Sequence, residues 1–353
     1  MLAIPFSPSL ETPKPDEAKL HQDMLATFAK IQETTFKDYG HAVRGVHAKG
    51  HGLIKGRLEI ADGLTREFAQ GIAAKAGTYD VVMRFSTNPG DILDDSVSTP
   101  RGLAVKVIGV EGERLHGAEG TSQDFVMANS PAFVAPDAAA FQKNLKLLAA
   151  TTDTPQVFKK GLSALLRGVE ATLESVGTKS ATVVALGGQP ATHILGETFF
   201  SQVPLRWGDY VAKVSVDPSS PALRALTGES VALSSSPNAL RELVETFFTD
   251  QGGEWDLKVQ LLTDPESMPI EDASVPWPED KSPYITVGRI TVPAQDSWSA
   301  ESVRGIDEGM AFSPWHAIVA HQPLGSIMRA RRAVYPVSAA FRSTHNGCPI
   351  HEP

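Results

Sequence analysis

Several things are scarce in this 353-residue chain. Cysteine is down to one residue, Cys348 near the C-terminal end. No disulfide can therefore close within the chain, and no site can be built on paired thiolates. An excess of positive charge is missing too. Lys and Arg number 32 against 41 Asp and Glu, which excludes the chain as a whole from binding nucleic acid or an acidic membrane and leaves any anion site to local clusters. No apolar run approaches the length of a membrane span. The opening stretch, MLAIPFSPSLETPKPDEAKL, lacks the basic segment and long apolar run of a secretory signal, so a soluble, cytoplasmic protein is expected. GxGxxG, Walker, HExxH and CxxC signatures are absent, which leaves nucleotide and zinc chemistry without support. There is no internal repeat and no low-complexity tract.

What is present is a chain with 42% hydrophobic residues, enough for a sizeable core. The Pro-rich beginning reads as an extended arm over residues 1–20, followed by one domain over 21–345 and a short tail over 346–353. PDEAKLHQDMLATFAKIQETTFKDYG has helical apolar spacing, with Asp16 and Glu17 in its first turn. The period then changes. GHGLIKGRLEIADGL alternates through Leu53, Ile54, Leu58 and Ile60, and TYDVVMRFSTN and RGLAVKVIGV are further strand candidates. SQDFVMANSPAFVA reads as a short strand into a turn. DAAAFQKNLKLLAA reads as a helix with Asp137 near its start, and TPQVFKKGLSALLRGVEATLESV as another. ATHILGETFFSQVPLRWGDYVAKVSVDP returns to strand chemistry, NALRELVETFFTDQ is an amphipathic helix, and EWDLKVQLLTD and SPYITVGRITVP are strong strands. A mostly helical segment, PLGSIMRARRAVYPVSAAFRSTH, closes the chain. Some six to eight strands in antiparallel-looking succession, with helices inserted and appended, favour an α+β fold with a β-barrel or large curved sheet at its centre. Its interior or rim would suit a large apolar ligand.

Four small constellations carry possible chemistry. In AVRGVHAKGHG, Arg44 and His47 lie three apart at the entry to a strand. His47 is either a histidine satisfied by a backbone carbonyl or an acid/base in an apolar pocket. In VVMRFSTNPG, Arg84 sits inside an apolar run, and Ser86 shares its face. Such an arginine either snorkels from a sheet edge or meets an anionic partner. In DFVMANSPAF, Asn129 follows a strand and precedes Ser-Pro, which is also how an ordinary turn residue is placed. In RARRAVYPVSAAFR, Arg331 stands one helical turn before Tyr335 and Arg342 two turns after it. A basic surface helix accounts for Arg329 and Arg332; a phenolate held among positive charges would account for the others.

Taken together the four resemble the catalase family. RGVHAKG, from Arg44 to Gly50, is similar to the family's distal element. RFST at 84–87 and PRGLAVKV at 100–107 resemble its following strands, NSP at 129–131 its Asn-x-Pro turn, and RRAVY with AFR its proximal element. The order and spacing run from about residue 40 to 342. GETFFSQVPLRWGDYVAKVSV and PLGSIMRARRAVY look like the short, catalase-related haem peroxidases, which lack the wrapping segment and C-terminal helical domain of full-length catalases.

The resemblance implies haem b bound on an eight-stranded antiparallel β-barrel with inserted and appended helices. It implies Tyr335 as the axial phenolate ligand of ferric iron, with Arg331 stabilising the charge. Its implied catalytic residues are His47 as acid/base and Asn129 as the amide that holds the peroxide, with Ser86 orienting the imidazole. Arg44, Arg84 and Arg342 are implied partners of the haem propionates. Phe133 and Phe141 line the implied pocket, Phe141 as the ring stacked against the porphyrin. The expected activity is a peroxidase using hydrogen peroxide or organic hydroperoxides with a small organic reductant. A true catalase and a non-catalytic haem carrier or sensor are the alternatives. A homo-oligomer, with a dimer as the simplest form, is the expected assembly.

Overall fold

The computed structural model describes residues 2–151 and 189–353. The helix read over 154–176 lies outside the described residues. Nine strands follow one another among the described residues: β1 (Lys49–Ile60), β2 (Gly77–Thr87), β3 (Arg101–Val107), β4 (Gln123–Ala128), β5 (Phe199–Phe200), β6 (Leu205–Trp207), β7 (Tyr210–Pro218), β8 (Gly253–Leu261) and β9 (Ile285–Val292). Their order in the sheet is β5-β4-β3-β2-β1-β9-β8-β7-β6, and β5 also pairs with β7. That extra pairing closes an antiparallel ring of eight strands, with β6 left outside it as a hairpin partner of β7. Closure removes the open edges that would otherwise invite pairing with other chains.

The barrel interior is filled with side chains. Phe85 of β2, Phe199 of β5 and Trp255 of β8 meet there, with ring centroids 5.8 and 6.2 Å from Phe85. Met83, Leu103, Val105, Phe125, Leu257 and Val259 belong to the same buried core. The interior therefore does not take the large ligand expected of it, because an eight-stranded barrel is only wide enough for its own side chains. Space for a ligand opens on the outer face instead. There Leu53, Val82, Ala104 and Val126 alternate out of β1–β4 and pack with Ile306 and Phe312.

The helices among the described residues are α1 (Glu17–Tyr39), α2 (Ala138–Thr151), α3 (Pro221–Ala225), α4 (Ala239–Asp250), the short α5 (Ala300–Ser302) and α6 (Ser326–Asn346); α1 and α6 lie over that face, whereas α3 and α4 add Leu223, Val244 and Phe248 to the barrel core. α1 stops at Gly40, whose φ of 65° is a left-handed conformation and whose N–H caps the Phe36 carbonyl. Asp137 caps α2 by accepting from Ala140 N at 2.8 Å. α1 and α6 share an apolar seam made by Met24, Phe28, Ile31, Ile327, Ala330 and Val334. α5 runs into a wide helical turn, Val303–Glu308, that lies against the barrel. Ahead of α1 the chain is tied to the barrel: Ile4 N–H donates to Leu262 O and Phe6 N–H to Asp209 O, at 2.8 and 2.7 Å. No helix among the described residues is long and apolar enough to cross a membrane.

Candidate active site

The outer face of β1–β4, α1 and α6 enclose a cleft in two connected halves. One half, about 710 Å³, is lined by Arg44, His47, Arg84, Ser86, Phe312, Tyr335 and Arg342 among others. The other, about 750 Å³, is lined by His47, Asn88, Phe133, Phe141, Gln202, Arg331 and Tyr335 among others. His47 and Tyr335 line both, so the imidazole and the phenol share one space although 287 positions part them in the chain. The first half carries Arg44, Arg84 and Arg342 beside Phe28 and Phe312, and the second carries Phe133 and Phe141 beside Arg331, Asn88 and Gln202.

His47 is held by β2 and the turn after it. Its backbone takes φ 50°, a left-handed conformation that costs a non-glycine residue about 1–3 kcal/mol and persists only where the surroundings impose it. They do so here. Arg84 Nη1 donates to His47 O at 3.0 Å and Nη2 to Ala48 O at 3.1 Å, and Ala48 N–H donates to Pro89 O at 3.0 Å. Ser86 Oγ lies 3.3 Å from His47 Nδ1 and 3.4 Å from Gly102 O. A hydroxyl that donates to Gly102 O accepts from Nδ1–H, which leaves Nε2 as the unprotonated nitrogen. Gly102 faces Ser86 across the β2–β3 ladder, and any Cβ there would come within 2.5 Å of Nδ1; the glycine makes room for the ring. Burial, with Arg84 and Arg331 nearby, lowers the His47 pKa to about 3, so the imidazole is neutral at ordinary pH.

Arg44, Arg84 and Arg342 come from three distant segments and converge on one residue, Asp307, which the sequence pattern did not single out. Arg44 Nη1 and Arg84 Nε donate to Asp307 Oδ1 at 2.6 and 2.7 Å. Arg342 donates to the carbonyls of Asp307, Glu308 and Met310 at 3.0, 3.2 and 3.0 Å. Burial alone would raise the Asp307 pKa, but Arg84 and Arg44 hold it well below the usual carboxylate range. Burial and the crowding of Arg342 and Arg84 push Arg44 the other way, well below its normal value. Three guanidinium groups outnumber the carboxylates near them, Asp307 and, beside Arg342, Glu308, and the buried Nε of Arg342 has no acceptor.

The other residues expected at the site fall in two groups. Tyr335, Arg331, Phe133 and Phe141 reach the cleft. The Arg331 guanidinium lies 5.5 Å from the centre of the Phe133 ring, and Phe133 and Phe141 meet edge to face at 5.1 Å. The Tyr335 hydroxyl makes no hydrogen bond among the described residues. Asn129, by contrast, is not brought to the cleft. Its Nδ2 donates to Glu197 Oε2 at 2.6 Å and its Oδ1 accepts from Arg101 N–H at 3.0 Å. Both ends of the amide are used to fasten the β4–β5 connection to β3, and it is the preceding residue, Ala128, that lines the cleft. The amides that do line it are Asn88 and Gln202. Asn88 ends the strand candidate TYDVVMRFSTN, and no motif gives it a role of its own. Asp307 is one of 41 acidic residues, and no local pattern sets it apart; only its meeting with arginines 223 and 263 positions away does.

Arg329 and Arg332 are not simply surface charges. Arg329 binds Glu11, Glu17 and Glu271 at 2.6, 2.7 and 2.9 Å, and Arg332 lies 4.8 Å from the centre of the Trp315 ring. α6 packs against α1 and the loops on several sides, so its arginines find partners all round.

No family model matches the sequence, and no curated protein matches it by sequence. Solved structures do match by shape. A fungal catalase aligns over 90% of this chain and 65% of its own length, at 19% identity and a TM-score of 0.60. Catalase A from Saccharomyces cerevisiae aligns over 88% of this chain and 63% of its own length, at 18% identity and 0.58. A bacterial catalase aligns over all of this chain and 66% of its own length, at 16% identity and 0.59. The chain thus has the catalase-like fold, an eight-stranded antiparallel barrel with helices. It spans just under two thirds of the length of these structures.

Proposed function

We propose that the cleft binds haem b and that the protein is a peroxidase, reducing hydrogen peroxide or an organic hydroperoxide with electrons from a small organic donor. The observation that carries this reading is the pairing of His47 and Tyr335 in one cleft that also gathers Arg44, Arg84 and Arg342. Haem is a flat ring with two carboxylates on one edge and apolar groups on the other. The three-arginine end, with its unmatched charge and the orphaned Nε of Arg342, suits the carboxylate edge. Phe133 and Phe141 suit the apolar one.

Tyr335 would ligate the iron, and Arg331, one helical turn away, would favour its phenolate form. When bound, the haem supplies the redox chemistry by which a peroxide O–O bond is broken. His47, neutral and bare at Nε2, accepts a proton from one peroxide oxygen and returns it to the other. Ser86 holds Nδ1 so that the tautomer does not change during this transfer. In total, two electrons from the donor and two protons convert the peroxide ROOH to ROH and water.

A second reading, disproportionation of hydrogen peroxide to water and oxygen, is favoured by the names of the structural neighbours, which are catalases. Stopped-flow spectroscopy of the haem-loaded protein separates the two. A peroxidase consumes peroxide in proportion to an added aromatic donor. Rapid oxygen release without any donor would establish the catalase reading instead. His47→Ala addresses a haem carrier or sensor: it should keep the Soret band and lose rapid reaction with peroxide, and an unchanged rate would sink the enzymatic reading. Tyr335→Phe should abolish the Soret spectrum of the phenolate-ligated form.

A further inference from the structure

Among the described residues only two other than glycine take a left-handed backbone, His47 at φ 50° and Gln202 at φ 62°. They come from distant parts of the chain, and both line the same half of the cleft. A residue with a side chain is kept in that conformation only where something outweighs the strain. For His47 that is the placement of the imidazole. Gln202 stands in the connection between β5 and β6, where a glycine would turn the chain at no steric cost. The turn accounts for the backbone of Gln202 and leaves its side chain to be explained. One end of the amide is committed: Nε2 donates to Ala132 O at 2.8 Å. A main-chain carbonyl only accepts, so this bond settles which end is which and leaves Oε1 as the other. The residue before it is pinned as well, Ser201 N–H donating to Val214 O and its hydroxyl to Val203 O at 2.8 and 2.9 Å. Oε1 accepts no hydrogen bond among the described residues. Gln202 keeps 8% of its surface exposed, and Oε1 is not sealed off as Asn88 Oδ1 is.

We infer that Gln202 selects the electron donor: its Oε1 accepts a hydrogen bond from the O–H of a phenol whose ring packs on the apolar wall beside it. This rests on the peroxidase reading above. The wall is supplied by Met24, Phe133 and Ile327, which line this half of the cleft with Gln202. Ala132, whose carbonyl orients the amide, directly precedes Phe133, so the acceptor and the ring are set by one stretch of chain. A phenol matches this arrangement, with one O–H donor on an otherwise apolar, flat body. An aryl ether has the body without the donor and would cover Oε1 while leaving it unpaired, which is how a site rejects an analogue that lacks a hydroxyl. The electron count closes on two such donors: ROOH and two ArOH give ROH, water and two phenoxyl radicals, each phenol losing one electron and one proton. Gln202, a neutral amide, takes up no proton; it holds the O–H in place, and the proton leaves to water.

Phenol and anisole differ by that O–H, and calorimetric titration of each into the haem-loaded protein, without peroxide, tests the assignment apart from turnover. The wild type should bind phenol ~10-fold more tightly than anisole, the worth of one hydrogen bond. Gln202→Met, which keeps the length of the side chain and removes the acceptor, should close the gap by weakening phenol and not anisole. In the peroxide assay its KM for phenol should rise by the same ~10-fold, with kcat changing less. Gln202→Gly, which removes the side chain together with the backbone strain, gives the same comparison if methionine is not accommodated. Equal affinity of the wild type for phenol and anisole, or a gap that survives in both variants, would overturn the assignment of Gln202 and leave the peroxidase reading standing. A wild-type protein that takes up haem and reacts with peroxide but oxidises no phenol would overturn both.

Discussion

Two arginines of α6 sit in surroundings of opposite sign. Arg329 is enclosed by three carboxylates, Glu11, Glu17 and Glu271. Burial works against its charge, but hydrogen bonds with Glu17 and Glu271 win and raise its pKa above normal. Arg342, 13 positions on, has Arg44 and Arg84 near it as well as the carboxylates of Asp307 and Glu308. Burial lowers its pKa, and Arg84 beside it offsets part of the help from Asp307, so the value falls to about 10. The difference separates two uses of the same side chain. An arginine with carboxylate to spare is a clasp between segments of the chain. An arginine short of carboxylate is, on the proposed reading, a receptor for an anion from outside.

Acid should break both sides at once and have the largest effect. Burial lowers the pKa of His47 and His321 to about 3 and that of His193 to about 4. In the unfolded chain these histidines titrate near 6.5. As the pH falls below 6.5 the unfolded state takes up protons that the folded state refuses, so stability drops with falling pH until the folded pKa values are reached. Asp307 and Glu17, both held below their usual values, keep their contribution until the pH falls below the ordinary carboxylate range and lose it only in still stronger acid. Urea unfolding of the haem-free protein between pH 7 and pH 4 should show a loss on the order of 5 kcal/mol. A flat profile would mean that these histidines are open to water.

Asp307→Asn sharpens the comparison from the arginine-rich side. It leaves three guanidinium groups without the Asp307 carboxylate and should destabilise the haem-free protein by about 3 kcal/mol, read from the urea midpoint. Added haem should restore part of that loss, since its carboxylates take over the role. Arg342→Leu should act mainly on the ligand, weakening haem binding ~10–100-fold through a lost charge-assisted hydrogen bond, with a smaller change in unfolding than Asp307→Asn. The smallest effect is expected at the other arginine. Arg329→Leu should cost about 1–2 kcal/mol, reduced by the partial exposure of the cluster, and leave haem affinity within ~2-fold. Were Arg329→Leu to weaken haem binding as much as Arg342→Leu, the division between clasp and receptor would fail.

Much of the barrel was legible because its signal is local. Alternation in LIKGRLEI, DVVMRFST and EWDLKVQL follows the period of a strand, and each of these segments is one. The same is true of α1, α4 and α6, whose apolar spacing matches a helix. Less legible was the split of ETFFSQVPLRWGDYVAKVSV into β5, β6 and β7. It depends on Gln202, which takes φ 62° without being glycine, and on the tight turn between Trp207 and Tyr210. The location of the cleft was not legible either, because the alternation of β2 tells which residues share a face but not which face is inward. Within the site, His47, Ser86, Tyr335 and the three arginines were found from motif spacing, and they do meet. Asn129 was found by the same means and does not reach the cleft, because its neighbours Glu197 and Arg101 satisfy it. Asp307 and Asn88 became visible only through tertiary convergence.

The central claim is that the three-arginine end of the cleft receives a dianion. Titration of the haem-free protein with ferric protoporphyrin IX and, separately, with its dimethyl ester measures this directly, because the ester keeps the iron and the ring and loses both charges. The account predicts binding of the free acid at least ~100-fold tighter than the ester, with the gap narrowed in Arg342→Leu. Equal affinity for the two in the wild-type protein would contradict it.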